Sequence, residues 1–294
     1  MSRNIEHLVR KAARKIARIP KIDEKTFYHS YFRTKTPVVF TEIMKEWPAM
    51  QKWSPEFLKA LAPNKLLYVE EGNIFQETTR FRQIRLSEYI DTVFDGKGVP
   101  NGERPAYLAD FNIFGLSESL LDDVDFSLIS AHSLHTRMNG WIGPSGTVAS
   151  FHIDWADNLF AQCHGSKHIK LIAPKFSANM YPSKKFDSGS LLSSVDADDY
   201  DPERYPLFQD VQIHQTTLGP GEMLYIPYGW WHYLKSLEPS ISINCFGWTL
   251  KGVCIDLQIT KLKKLLHRFN LYGSDACTCH MIRDGRRIAR SMHY

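Results

Sequence analysis

The part of the chain that follows Trp141 consists of short apolar or alternating segments separated by glycine and proline turns, and this pattern limits the possible folds most. Strands are predicted over 147–154, 159–164, 168–172, 211–218, 223–226, 231–234 and 240–248. Tight turns such as Gly165-Ser166 and Gly219-Pro220-Gly221 separate several of them, and a loop rich in Ser and Asp is predicted over 187–206. Short strands without helices between them are typical of a double-sheet jelly roll. We therefore predict a mainly β fold with flanking helices.

The first 140 residues mix predicted helices with single strands. Strands are predicted over 36–41, 66–70 and 106–111, and helices over 54–62 and 86–94. Ser54 is the expected N-cap of the first of these helices, with Pro55 at its first position. Apolar residues at helical spacing predict two further amphipathic helices, one over 5–19 and one near the C-terminus. The apolar stripe of the latter consists of Leu257, Leu262, Leu265, Leu266 and Phe269.

The composition excludes several classes of protein. Hydrophobic residues make up 43% and charged residues 23% of the chain, which excludes a disordered or coiled-coil protein. No apolar segment approaches the ~20 residues of a membrane-spanning helix, and residues 1–20 lack the apolar core of a secretory signal. We therefore expect no membrane contact. Five cysteines are an odd and small number for a disulfide framework, so a reducing intracellular location, the cytoplasm, is expected.

Positive charge is concentrated at the two ends of the chain. Residues 1–20 contain six basic and one acidic side chain, and residues 258–294 contain eight basic and two acidic ones. Such ends can contact nucleic acid, the ribosome or an acidic protein. Solvated faces of terminal helices are the favoured interpretation, and a mitochondrial transit peptide is a weaker one because Ser is scarce here.

Two histidines and one aspartate form the main candidate site. His152 and Asp154 are two positions apart on a predicted strand, so their side chains project to the same face and could share a metal ion. A tight turn, a buried strand and a proline turn then lead to His232. Two His and one carboxylate with open coordination positions form the facial triad of non-haem Fe(II) oxygenases. For His232 alone, packing among neighbouring aromatic residues is the alternative.

A second group of ligand-type residues lies near the C-terminus, at Cys277-Thr278-Cys279-His280. A structural zinc site requires four protein ligands, and this group has no distant partner pair in the sequence. We interpret these cysteines as surface thiols, with a structural metal as the less favoured alternative.

The two histidine motifs carry a resemblance to a known family. The segments concerned are Gly143-Pro144-Ser145-Gly146-Thr147, His152-Ile153-Asp154, Asn158, Gln162, Gly165-Ser166-Lys167, Pro174 and Gly219 to His232, together with Pro37-Val38-Val39 and Trp47-Pro48-Ala49. They resemble the JmjC/cupin-type family of Fe(II)/2-oxoglutarate-dependent oxygenases, in the branch that contains the hypoxia-pathway asparaginyl hydroxylase and the small JmjC protein hydroxylases. The resemblance covers about residues 36–250 and implies a double-stranded β-helix, the cupin-like jelly roll.

The resemblance also implies roles for individual residues. His152, Asp154 and His232 match the family's iron ligands. Lys167 and Tyr107 match the side chains that bind the distal carboxylate of 2-oxoglutarate, a role that suits a lysine because its ammonium is a compact point charge. Asn158 and Asn244 match side chains near the carboxylate that chelates iron.

Two positions depart from the family pattern. Ala149 stands where the family usually has a Thr or Ser that contacts the cosubstrate, and Ser150 or Thr147 are the candidates to replace it. Leu191 and Leu192 stand where the asparaginyl hydroxylase has a polar pair near its target residue, which argues against asparagine as the target.

The resemblance implies an oxygenase that uses Fe(II), 2-oxoglutarate and O₂ and that hydroxylates a side chain of a protein or peptide. N-methyl-lysine demethylation, oxidation of a small molecule or natural product, and a non-catalytic cupin-type binding protein are the alternatives. The expected organisation is an N-terminal helical segment (1–35), a catalytic domain (36–250) and a C-terminal helical segment (251–294). Related hydroxylases dimerise through C-terminal helices, so the apolar stripe predicts a homodimer.

Overall fold

Two β-sheets and a small hairpin contain all the strands of the described residues. A computed structural model describes residues 13–99, 103–284 and 286–289. The strands are β1 (Arg14–Lys15), β2 (Ala17–Ile19), β3 (Val38–Phe40), β4 (Leu66–Glu71), β5 (Phe81–Arg85), β6 (Ala106–Phe111), β7 (His135–Gly143), β8 (Val148–Asp154), β9 (Asp157–His164), β10 (Lys167–Ile172), β11 (Ser190–Leu192), β12 (Ile213–Leu218), β13 (Met223–Ile226), β14 (Trp231–Ser236), β15 (Ser240–Trp248), β16 (His280–Arg283) and β17 (Arg286–Ala289).

The α-helices occupy the N-terminal part of the chain and the segment after the last sheet strand. They are α1 (Glu24–Phe27), α2 (Ala49–Lys52), α3 (Pro55–Leu61), α4 (Leu86–Phe94), α5 (Ser127–Ser130) and α6 (Leu257–Arg268). As predicted, the Ser54 hydroxyl caps α3 by accepting a hydrogen bond from the Phe57 N–H, and Pro55 is the first helical residue. None of the described helices is long and apolar enough to cross a bilayer.

The strand order confirms the predicted jelly roll. The six-stranded sheet has the order β1-β12-β10-β14-β8-β11, and the nine-stranded sheet has the order β2-β3-β13-β9-β15-β7-β6-β4-β5. From β7 to β10 the chain alternates between the two sheets, and from β12 to β15 it does so again. Each of β12 to β15 pairs antiparallel with one or two strands of the first set, which is the double-stranded β-helix arrangement.

An apolar layer between the two sheets holds them together. Phe160 and Leu224 of the nine-stranded sheet pack there against Ile169, Leu171 and Leu234 of the six-stranded sheet. The side chains alternate in direction along each strand, so the outer faces carry separate apolar clusters. The segment from 176 to 211 covers the outer face of the six-stranded sheet at Phe151 and Trp231.

The turn between β9 and β10 confirms the sequence prediction and explains its glycine. Gly165 has a φ of +67°, and a Cβ at this position would lie 2.2 Å from the Pro239 carbonyl oxygen. Only glycine tolerates both this backbone conformation and this contact.

The helix predicted over 5–19 falls partly outside the described ranges, which begin at residue 13. In its described part the prediction is wrong. Residues 14–19 instead form β1 and β2, which pair in parallel with β12 and β3. Both partner strands would otherwise leave backbone groups unpaired at a sheet edge. Ile16, between the two strands, is buried in the layer between the sheets. The strand hydrogen bonds and the burial of Ile16 together outweigh the tendency of this amphipathic segment to form a helix.

The C-terminal segment is helical only in its first part. The helix α6 confirms the prediction for 257–268, but residues 280–289 form the β16–β17 hairpin, so a wholly helical segment over 251–294 is wrong. The sequence Asp284-Gly285 is a strong hairpin signal, and Asp284 has the positive φ (51°) of such turns. The predicted loop over 187–206 also contains a strand, β11, which pairs with the edge of β8.

Candidate active site

Strands β8 and β14 bring the two predicted histidines and the aspartate to one point. The strands are antiparallel neighbours, and His232 lies directly opposite His152, with ring centroids 4.0 Å apart. Asp154 lies two residues further along β8, on the same face. Its carboxylate is 3.2 Å from His232 Nε2 and 3.9 Å from His152 Nε2. One ligand atom from each residue therefore lies within 4.8 Å of the other two.

Backbone carbonyls fix the orientation of both imidazoles. The Ser150 carbonyl is 2.7 Å from His152 Nδ1, and the Trp230 carbonyl is 3.0 Å from His232 Nδ1. Each Nδ1 donates to its carbonyl, so Nε2 is the ring nitrogen of each histidine that is left for a metal ion, as in metal-ligating histidines. Burial, and then the proximity of His232, lower the pKa of His152 to about 4. The His152 imidazole is therefore neutral at physiological pH and available as a ligand.

The Asp154 carboxylate is held in its charged form. Burial by itself would raise its pKa, but interactions with His152, His232 and Ser190 outweigh burial and hold the pKa well below its usual value. The Ser190 hydroxyl donates to Asp154 Oδ1 over 2.8 Å. Sequence reasoning missed Ser190, because nothing in the predicted loop indicates that β11 joins the edge of β8.

A buried lysine contacts a tyrosine that lines the same cleft as His152 and Asp154. Lys167, on β10, is 1% exposed, and its ammonium donates to the Tyr107 hydroxyl over 3.1 Å. Burial lowers the pKa of Lys167 to about 7 and, together with Glu70 and Tyr89, raises that of Tyr107 well above its usual value. Within the described ranges, no carboxylate lies within ion-pair distance of this ammonium. A buried ammonium without a counter-ion is a binding point for an anionic ligand.

Two buried asparagines lie on the inner face of the opposite sheet. Asn158, on β9, lies directly opposite Phe246 of β15. Asn244, on β15, lies directly opposite Phe160 of β9. Both are at most 3% exposed. Among the described residues, Asn244 Oδ1 and Nδ2 and Asn158 Oδ1 have no hydrogen-bond partner. Native proteins rarely leave buried amides unpaired, so these atoms also point to a ligand.

A cleft opens from the triad to the surface. His152, Asp154, Tyr107 and Trp141 line its inner part. Acidic side chains outnumber basic ones along its walls: Glu70, Asp110, Asp187 and Asp256 join Asp154, against Arg137 and Lys264. Arg137 pairs with Asp110 at 3.2 Å.

The two departures from the family pattern have structural counterparts. The pairing of β14 with β8 shifts by one residue between His152 and Ala149, and this bulge lets Ala149 line the cleft. The proposed substitutes are otherwise engaged: the Thr147 hydroxyl donates to Ser236 Oγ (2.8 Å), and the Ser150 hydroxyl accepts from Asn73 Nδ2 (2.6 Å). Leu191 and Leu192 pack in the apolar interior, whereas the neighbouring Ser190 lines the cleft.

Comparisons with known proteins agree with this arrangement. The family model described as a cupin-like domain matches residues 24–248. Jumonji C domain-containing protein 5 of Drosophila melanogaster is 32% identical over 242 residues, which are 78% of this chain and 59% of that protein. Lysine-specific demethylase JMJ30 of Arabidopsis thaliana is 34% identical over 231 residues, which are 76% of this chain and 52% of that protein. The chain thus spans between half and three fifths of these two relatives.

A shorter relative is covered almost completely. JmjC domain-containing protein A of Dictyostelium discoideum is 29% identical over 241 residues, which are 76% of this chain and 92% of that protein.

Proposed function

The chain belongs to the cupin-like JmjC family of Fe(II)- and 2-oxoglutarate-dependent oxygenases, and from this we propose that it hydroxylates a side chain of a protein or peptide. The observation that carries the proposal is the joint position of the triad and the buried ammonium of Lys167. Three ligand atoms of a facial triad surround one point. Lys167, which has no carboxylate partner among the described residues, donates to Tyr107, and Tyr107 lines the same cleft as His152 and Asp154.

The donor set of the triad fits iron. Two imidazoles and one carboxylate match the ligands of non-haem Fe(II) oxygenases, a set that would leave coordination positions open on one side. Bound iron, with 2-oxoglutarate and O₂, supplies the oxidising power that inserts one oxygen atom into a C–H bond while the cosubstrate loses CO₂ and becomes succinate. The residues of the chain bind and orient the reactants and exclude water.

The cosubstrate would be held at both of its ends. The Lys167 ammonium and the Tyr107 hydroxyl would bind its distal carboxylate, since the neutral Tyr107 phenol keeps a proton to donate. Asn244 Nδ2, which has no partner among the described residues, would donate to the carboxylate that chelates the metal, and Asn158 would lie near the same carboxylate. Ser190 would keep the Asp154 carboxylate in position by its hydrogen bond to Oδ1.

The charge of the cleft favours a basic or neutral target side chain. With Asp154 assigned to the metal, four carboxylates and two basic side chains line the walls. This excess of negative charge would repel an acidic substrate and attract a lysine or arginine. The aromatic rings of Phe75 and Trp155, which also line the cleft, can contact such a cation.

Demethylation of N-methyl-lysine is the second candidate, because relatives in Arabidopsis thaliana and Xenopus tropicalis are named lysine-specific demethylases. The same C–H oxidation at an N-methyl group would be followed by loss of formaldehyde, and the acidic cleft suits a methylated ammonium equally well.

Product analysis tests the proposal and separates the two candidates. The purified protein is loaded anaerobically with Fe(II) and 2-oxoglutarate and then exposed to O₂ with peptides that contain arginine, lysine or methyl-lysine. We expect succinate and a peptide heavier by one oxygen atom; a peptide lighter by one methylene unit, with formaldehyde, would identify a demethylase instead. The Asp154→Ala variant is the control. Absence of succinate and of any modified peptide, also with cell extract as substrate, would contradict the proposal.

A further inference from the structure

A second group of metal-ligand side chains, apart from the triad, lies where the C-terminal segment packs against the domain. His267 is the next-to-last residue of α6. Cys277 and Cys279 precede the β16–β17 hairpin, and His280 is its first residue. One ligand atom from each of the four lies within 4.8 Å of the other three. Cys277 is 6% and His267 4% exposed, whereas Cys279 is partly exposed, so the interpretation of these cysteines as surface thiols is wrong for Cys277.

Four of the six distances among these ligand atoms are 3.3–3.4 Å and match the edges of a tetrahedral zinc site, and all six are within 4.8 Å. Cys279 Sγ is 3.3 Å from His267 Nε2 and 3.3 Å from His280 Nδ1. His280 Nδ1 is 3.4 Å from Cys277 Sγ and 3.4 Å from His267 Nε2. Zinc bonds of about 2.3 Å to sulfur and about 2.0–2.1 Å to nitrogen give a tetrahedron with edges of about 3.3 Å between nitrogens and about 3.6 Å between nitrogen and sulfur. A zinc ion at the centre would require only small shifts of these side chains.

The surroundings of His267 orient it as a ligand. Its Nδ1 lies 2.8 Å from the Tyr272 carbonyl and donates to it, which leaves the lone pair on Nε2 facing the cysteines. The Phe186 ring stacks on the imidazole with centroids 4.1 Å apart. A carbonyl partner that fixes the tautomer, and packing that fixes the ring, are typical support for a metal-binding histidine.

The neighbouring Arg287 shows that the lone pairs of the cluster converge. Its guanidinium donates to His267 Nε2 over 2.7 Å and to Cys277 Sγ over 3.6 Å. Arg287 is part of the partly exposed terminal hairpin and has solvent beside it into which it can turn when an ion binds.

We propose that His267, Cys277, Cys279 and His280 bind one structural zinc ion. Two thiolates and two imidazoles in tetrahedral positions are a ligand set typical of zinc, and four protein ligands leave no open position for chemistry. The ion would join the end of α6 to the residues before the hairpin.

Such a zinc ion would also fix one wall of the oxygenase cleft. The Thr278 N–H donates to the Phe186 carbonyl, and the Phe186 N–H donates to the Ala276 carbonyl. The chain continues from Phe186 to Ser190, which bonds to Asp154, while Thr278 and Cys279 themselves line the cleft. Zinc would thus act on the active site only through the position of this wall.

Metal analysis of the full chain tests the proposal without relying on turnover. The Asp154→Ala background removes the triad as a competing site. In that background we expect one zinc per chain, and with Co(II) in its place the thiolate-to-cobalt charge-transfer band and the d–d bands of tetrahedral cobalt. Cys277→Ser and His267→Asn should each weaken Co(II) binding by more than about 100-fold, beyond the loss typical of outer-shell changes, and a chelator should lower the Tm. Cys254→Ser, at an exposed cysteine outside the cluster, should change none of these.

The proposal is overturned if the Asp154→Ala protein takes up no zinc and shows no cobalt–thiolate band, or if it does so equally with Cys277→Ser. A Cys277–Cys279 disulfide in freshly purified, zinc-free protein would also overturn it. If a ligand variant fails to fold, the Co(II) titration of the Asp154→Ala protein alone still decides between the outcomes.

Discussion

Replacement of Lys167 by Met should weaken 2-oxoglutarate binding and at the same time stabilise the ligand-free protein. Lys167 is buried without a carboxylate partner among the described residues, and burial lowers its pKa from 10.5 to about 7. That fall corresponds to about 5 kcal/mol for keeping the ammonium charged in the folded protein. Met has a similar length and no charge to bury. Because it also loses the hydrogen bond to Tyr107, worth about 1 kcal/mol, the net gain in unfolding free energy at pH 7 should be about 2–4 kcal/mol.

The effect on the cosubstrate has the opposite sign. A buried, charge-assisted contact with a carboxylate contributes about 1.5–3 kcal/mol, so Lys167→Met should raise the Kd of 2-oxoglutarate about 10- to 150-fold. Only the protonated lysine pairs with the carboxylate. In the unmodified protein the Kd should therefore rise up to about tenfold per pH unit above about pH 7, and in Lys167→Met it should not.

Protein stability should follow the same titration. Between pH 7 and 10.5 the unfolded chain keeps a proton on Lys167 that the folded, ligand-free protein has lost. The contribution of Lys167 to stability therefore increases with pH in this window, and Lys167→Met should remove that dependence.

Calorimetric titration of 2-oxoglutarate with Mn(II) in place of iron measures the Kd without turnover, and urea unfolding measures stability. Lys170→Met is the matched control, because Lys170 lies on the same strand but on its other face, where it donates to the Ala197 carbonyl. A Lys167→Met protein that binds 2-oxoglutarate with unchanged affinity and unchanged pH dependence would refute the assignment of the cosubstrate site.

Three further predictions concern the triad, the opposite sheet and the C-terminal helix. Asp154→Ala should abolish 2-oxoglutarate decarboxylation and leave far-UV circular dichroism native, since the apolar layer between the sheets stays intact; full activity would exclude the triad. Asn244→Ala should raise the KM for 2-oxoglutarate about tenfold without lowering the Tm, because its amide has no partner among the described residues to lose; an unchanged KM with a lower Tm would make Asn244 a structural residue. We also propose that α6 forms the homodimer contact: Leu262 and Leu265 are 55% and 50% exposed in the single chain, so Leu262→Glu/Leu265→Glu should convert a dimer to a monomer in light scattering. A monomeric unmodified protein at micromolar concentration would contradict this.

Much of the jelly roll follows from local pattern in the sequence. The Gly and Pro turns and the alternating segments predict the strands from β8 to β15 apart from β11, because a strand between two tight turns needs few distant contacts to define its ends. The period of two also places His152 and Asp154 on one face. The helices α3, α4 and α6 were predictable for the same reason, since Ser54 and the apolar periodicity act within one or two turns.

Tertiary structure alone decided the pairing of segments distant along the chain. The register of β14 against β8 places His232 opposite His152, and the edge of β8 recruits Ser190 to Asp154. Open sheet edges convert residues 14–19 from a predicted helix to strands, and the end of α6 brings His267 to cysteines whose nearest member is ten residues away. Periodicity determines which face of an element a side chain occupies. Which faces meet depends on the burial of apolar surface and the pairing of edge hydrogen bonds across the whole chain, and these have no local signal.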